Sequence, residues 1–111
     1  MIPDADLELR KALAERMAAR FARHLEFDGT FRGGTITYVE GETRIPFSHE
    51  MCAGGVHFSI DVPVPARWEA ATGRPLSERD DIIAFLAFET RRLKASSWNY
   101  VIHEDRIDFI D

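Results

Sequence analysis

The chain is expected to fold as an α+β domain, an antiparallel sheet of five to six strands with two main helices, 4–25 and 78–95, packed on one face. Three observations lead there. Apolar residues recur at helical spacing near the start of the chain and again before its last strands. Between them, short runs rich in β-branched and aromatic residues are broken by glycine. Finally, the strands follow one another through short turns without βαβ alternation, which favours antiparallel pairing and argues against a doubly wound, Rossmann-type layout. The expected order is α-β-β-β-β-α-α-β-β within one domain, 1–111.

The first helix is read from an apolar stripe of Leu7, Ala14, Met17, Ala18, Phe21 and Leu25, opposite Glu8, Glu15, Arg16, Arg20 and Arg23. Acidic Asp4, Asp6 and Glu8 open it and basic Arg20, Arg23 and His24 close it, as the helix dipole prefers. A strand is expected over 26–32, leading into Gly33-Gly34. Thr35–Val39 and Thr43–Phe47 read as the arms of a hairpin turning at Glu40-Gly41. Pro46 lacks an N–H, so the second arm should end there or run along an edge. The clearest strand is 56–62, where Val56, Phe58, Ile60 and Val62 alternate with His57, Ser59 and Asp61. Pro63 and Pro65 stop it, and 66–72 reads as a short helix closed by Gly73. Ser77 with Asp80 resembles a capping box opening the third helix. A hairpin, 98–102 with 107–110, closes the chain around His103–Arg106.

Composition narrows the function classes. The chain has 111 residues, 45% hydrophobic and 30% charged, with eight Phe, two Trp and two Tyr, enough bulk for one core. Its formal charge of −5 gives a field that opposes nucleic acid. Arg16, Arg20 and Arg23 form the one basic cluster, and Glu8 and Glu15 share their helix face. A lone cysteine, Cys52, cannot close an internal disulfide and fits a reducing compartment. No run approaches the roughly 20 apolar residues that span a bilayer, and the acidic N-terminus lacks signal-peptide character. A cytoplasmic protein without membrane attachment is expected.

The placement of Glu89 is unusual. Ile82, Leu86 and Leu93 define the apolar centre of the third helix on a wheel, and Glu89 projects between them. A carboxylate there should be buried, either paired with an Arg or Tyr or held at a raised pKa for acid–base or ligand work. Trp68, Trp98 and Tyr100 would line a pocket beside it. On the helix's other side, Ala84, Phe88, Arg91 and Ala95 suggest a second contact surface. His49, Cys52 and His57 have loose spacing for a zinc site, and no metal or other cofactor is expected. Ser59, His57 and Asp61 match triad residue types, but same-face strand neighbours lie about 6.6 Å apart, too far for two good hydrogen bonds. Cys52 as nucleophile would need His49 or His57 within reach. The Gly33-Gly34 and Gly54-Gly55 pairs lack the context of a phosphate loop. The sequence therefore points to a non-enzymatic protein-interaction or regulatory module, binding a protein partner or itself as a homodimer. The alternative is a small-ligand-binding protein or minor enzyme with a pocket between helix 78–95 and the sheet, anchored by Glu89.

Overall fold

A computed structural model describes residues 7–14, 22–30 and 32–111. Six strands form one antiparallel sheet: β1 (His24–Thr30), β2 (Gly33–Glu40), β3 (Thr43–Met51), β4 (Val56–Asp61), β5 (Asn99–Ile102) and β6 (Arg106–Ile110), in spatial order β1-β2-β3-β4-β6-β5. Helical residues 7–14 (α1) precede them, and α2 (Pro65–Thr72) and α3 (Arg79–Lys94) connect β4 to β5. The expected fold class and element order are therefore present.

Alternation sorts the side chains. Ile36 and Tyr38 of β2, Ile45 and Phe47 of β3, Ile60 of β4, and Ile107 and Phe109 of β6 share one face and are buried with Ile82, Ile83, Leu86 and Ala87 of α3. Trp68 of α2 fills the end of this core, fully buried, its indole N–H donating to the Pro75 carbonyl at 3.2 Å. The β2–β3 hairpin turns at Gly41-Glu42, with Gly41 at φ 59° in the first central position, a conformation glycine adopts freely. At the far end of β2, Gly34 faces Gly29, and a Cβ on Gly34 would lie 2.1 Å from the Asp28 carbonyl oxygen. The glycine pair is thus a close backbone approach inside a ladder.

Several boundaries differ from expectation for definite reasons. Residues 4–6 and 15–21 of the expected first helix lie outside the described residues. The helix does not reach 25, because His24 and Leu25 pair with Val39 and Tyr38 in β1, where Leu25 joins the core. Residues 7–14 are exposed throughout, so the described part of α1 covers no sheet face. Roofing falls to α3, with α2 at its end. Pro46 does not end β3. It stands opposite Thr37 in a pair that exchanges no hydrogen bonds, given the two-residue turn, so its missing N–H points to the side where β4 has not yet begun pairing. Ser77 does not cap α3: it lies in a 3-10 turn, Leu76–Glu78, and Glu78 is the cap position without a side-chain bond.

Thr90 sits at the centre of the buried side of α3, and its hydroxyl finds no hydrogen-bond partner among the described residues. An unsatisfied buried hydroxyl costs more than an isosteric methyl. Thr90→Val should raise unfolding free energy by about 1 kcal/mol in urea titration; a loss of stability would show that the hydroxyl is in fact bonded.

Candidate interaction surface

The last hairpin is laid against α3 by two arginines. Arg79, at the first turn of α3, is buried and donates from Nε and Nη2 to the Pro63 carbonyl at 3.1 and 3.0 Å, and from Nη2 to the Glu104 carbonyl at 2.7 Å. Three turns later, Arg91 donates from Nε to the Trp98 carbonyl at 2.9 Å. Glu104 follows β5 and Trp98 precedes it, so α3 runs alongside the whole strand. The turn between them, Ala95 to Trp98, closes with the Trp98 N–H donating to the Ala95 carbonyl at 3.0 Å.

This pinning decides which side of α3 faces outward. Ile82, Ile83, Leu86, Ala87 and Thr90 go in; Ala84 and Phe88, between the two arginines, stay out, with Phe88 57% exposed. Of the expected contact residues, Ala84 and Phe88 are outward and Arg91 is half-buried in its clamp. Ala95 is not part of that face: it is only 5% exposed, because the chain turns there toward β5 and folds the methyl into the core. Beside this helix side lies β5, an edge strand of uncharged residues whose Val101 and Ile102 are 41% and 45% exposed. Ile102, opposite Ile107, lies on the α3 side of the sheet with Ala84 and Phe88 and forms an apolar rim with them, while Val101, opposite Asp108, points to the other sheet face. Leu7, Leu9 and Leu13 of α1 are also exposed, each by about half.

Of the two roles expected of Glu89, the structure contains the one paired with an arginine and not the acid–base one. The apolar centre of α3 is rotated away from it, and Leu93, counted in that centre from the wheel, is 45% exposed. Glu89 lies at the border, its side chain 15% exposed, and accepts two hydrogen bonds from Arg92, Nε at 2.6 Å and Nη2 at 2.9 Å. Those bonds hold its carboxyl below the usual range, against partial burial. A raised-pKa acid is not what the geometry contains. Trp68 belongs to the core, Trp98 stacks on His57 with ring centroids 4.0 Å apart, and Tyr100 packs toward Phe109. Trp98 and Tyr100 thus meet one aromatic cluster through Phe58 and Phe109, while Trp68 stacks on Phe47 and Glu89 is bonded to Arg92.

A cleft does open at the helix–sheet junction, but at the other end. It has a volume of about 230 Å³ and is lined by Tyr38, Glu40, Thr43, Arg74, Glu78, Asp81 and Ile82. Its polar groups already serve one another. The Tyr38 hydroxyl donates to Glu40, Arg74 donates two hydrogen bonds to Glu78 at 2.8 and 2.6 Å, and Arg23 reaches Asp81 at 2.6 Å. Burial and the Glu40 carboxylate push the Tyr38 phenol up to about 12. Arg23, read from sequence as part of a basic cluster, has a side chain only 10% exposed, with its guanidinium 4.3 Å from the Phe85 ring centroid; Arg16 and Arg20 lie outside the described residues.

No family model matches the chain, and no curated protein or solved structure matches it. The reading of the surface rests on geometry alone.

The opposite sheet face carries a polar cluster that sequence reasoning missed. Ser59 of β4, expected on a solvated face, is buried and donates to Asp108 Oδ1 at 2.5 Å; the Cys52 thiol lies 3.4 Å from the Ser59 oxygen. Arg106 donates to both Asp108 oxygens at 3.2 Å, and His103 Nε2 stands 3.0 Å from Oδ2. The serine thus bonds directly to a carboxylate and has no histidine to accept its proton, which is not the order of a nucleophilic triad. The His57 ring is turned elsewhere, at a register shift in β4, bonding Asp111 at 2.5 Å; the Cys52 N–H donates to the His57 carbonyl at 3.1 Å, but the Cys52 thiol has neither imidazole among its hydrogen-bond partners. Register 59↔108 was the available signal, visible only once β4 and β6 are known to be neighbours. Among the described residues, no group of three or more His, Cys, Asp and Glu is placed to hold a metal ion, and no helix is long and apolar enough to cross a membrane.

Burial raises the Asp108 pKa, but the hydrogen bond from Ser59 and the charge and hydrogen bonds of Arg106 outweigh it, so the carboxyl is held below the usual Asp range. A depressed folded-state pKa adds stability above the unfolded Asp value of about 3.9, and that stability is lost as pH falls through the folded value. Asp108→Asn should therefore cost about 1–3 kcal/mol at pH 7 and progressively less below pH 4. Thermal unfolding of both proteins across pH 2.5–7 checks this; a gap that stays constant with pH would contradict it.

Proposed function

We propose that this chain is a non-enzymatic protein-interaction module that works as a homodimer through the rim formed by β5 and the outward side of α3. The observation that carries the reading is Phe88: a large aromatic left 57% exposed on a helix whose core side is already filled. Isolated exposed aromatics are common on protein surfaces. Here, however, Phe88 is joined by Ala84 on its own helix and by exposed Ile102 on the helix side of the adjoining edge strand. Contiguous apolar surface of that kind marks contact sites in folded proteins.

The ligand-binding alternative has less behind it. The junction cleft contains none of Glu89, Trp68, Trp98 or Tyr100, and its charged groups are paired internally. A partner made of the same chain suits a small domain that gains stability by burying more surface. The cytoplasm is the compartment we assign, on the ground that Cys52 is a free thiol.

Sedimentation velocity across a range of concentrations tests the reading. Wild type should associate reversibly, and Phe88→Asp should sediment as monomer while keeping wild-type thermal stability within about 0.5 kcal/mol, because the side chain lies outside the core. Identical monomer profiles for the two proteins would discard the homodimer.

A further inference from the structure

Resting on that reading, we propose that two copies join edge to edge through β5, antiparallel about a two-fold axis at Val101, so that one sheet runs through both. The backbone dictates the register. The His103 N–H donates to the Arg106 carbonyl at 2.8 Å, which makes His103–Arg106 a hydrogen-bonded pair of the β5–β6 hairpin. Bonded and non-bonded pairs alternate in an antiparallel ladder. With Ile102 opposite Ile107, Val101 opposite Asp108, Tyr100 opposite Phe109 and Asn99 opposite Ile110, the backbone groups of Asn99 and Val101 point at β6. Those of Tyr100 and Ile102 point outward along the free edge.

The flanking groups in that outward row are already committed. The Trp98 N–H and carbonyl bond Ala95 and Arg91, and the Glu104 carbonyl accepts from Arg79. Among the described residues, only Tyr100 and Ile102 remain to be paired within β5. Placing Tyr100 opposite Ile102 of the second copy, and Ile102 opposite its Tyr100, satisfies both residues in both copies. Shifting to Tyr100 opposite Tyr100, or Ile102 opposite Ile102, would set the remaining outward residue against Trp98 or Glu104, whose carbonyls are engaged. Val101 then meets Val101 of the second copy at a non-hydrogen-bonded position, where Cα atoms approach to about 4.5 Å and side chains pack closely.

The two sheet edges are unlike. β1 bears His24, Glu26 and Asp28, charges of the kind that discourage edge pairing, whereas Asn99–Ile102 has no charge, proline or bulge. A second copy offers the same bare strand, whose two outward residues pair reciprocally with those of the first, and the same apolar flank at Ala84 and Phe88.

Cysteine trapping provides the test. In the full chain carrying Cys52→Ser, Val101→Cys should form a disulfide-linked dimer as the main product of mild oxidation, since facing cysteines at a non-hydrogen-bonded pair meet the distance a disulfide requires. Asp28→Cys on β1, in the same background, should stay monomeric. Ile102→Pro removes an outward N–H from each copy without touching the β6 ladder, and should weaken association roughly tenfold or more, with far-ultraviolet circular dichroism unchanged. If Phe88→Asp abolishes association while Val101→Cys gives no covalent dimer and Ile102→Pro still associates, the rim is used but the edge pairing is wrong. A wild type that is monomeric at every concentration overturns both readings. A monomer that takes an unrelated extended peptide onto β5 overturns the second copy as occupant.

Discussion

The structure hangs on how α3 is tied to the chain that follows it. A buried guanidinium is costly unless its donors are satisfied, and Arg79 meets that demand with the carbonyls of Pro63 and Glu104, segments that sit on either side of α3 in sequence. Its group also lies 6.0 Å from the Trp68 ring centroid, linking it to the α2 end of the core. Arg91 repeats the arrangement at the other end of β5. With both ends tied, α3 has one rotation in which Ile82, Ile83, Leu86 and Ala87 meet the sheet. The same rotation leaves Ala84 and Phe88 in water. The packing of the inside and the character of the outside are therefore two consequences of one set of hydrogen bonds.

The sheet adds a second asymmetry. α3 touches both edge strands, although β1 and β5 are the two ends of the spatial order. Lys94 lies 4.9 Å from the Phe27 ring centroid of β1, while Arg91 holds the start of β5. Both borders thus meet one helix, but they are finished differently. β1 is charged, with Glu26 engaging Arg44 of β3 across the sheet. β5 is short and uncharged, and its polarity lies in its main chain. An edge of that kind is a pairing template, and it lies beside the exposed aromatic.

Much of this was legible in the sequence. Period-two alternation in 56–62 located the core strand, Gly41 located the hairpin, and the apolar spacing of 78–95 located α3, with Ala84 and Phe88 on its outer side. What escaped depended on tertiary partners. Arg91 read as part of the outer contact surface and Arg79 drew no reading at all, because nothing local says that their targets are carbonyls from distant turns. Glu89 looked central because the wheel was anchored on Leu93, and the actual burial of Ala87 and Thr90 rotates the centre away from it. Ser59 looked solvated because alternation identifies faces and not what covers them; Asp108 and Arg106 arrive from a strand almost fifty residues later. Leu25 continued a helical stripe convincingly, yet a strand partner, Tyr38, took it. In each case a non-local contact overrode a sound local pattern.

Amide hydrogen exchange at β5, followed at high and low protein concentration, tests the central claim most directly. The account predicts that the Tyr100 and Ile102 amides, which point away from β6, are protected when the protein is concentrated and lose that protection on dilution, while the Asn99 and Val101 amides stay slow throughout. Free exchange of Tyr100 and Ile102 at every concentration, with Asn99 and Val101 protected, would show an edge that pairs with nothing.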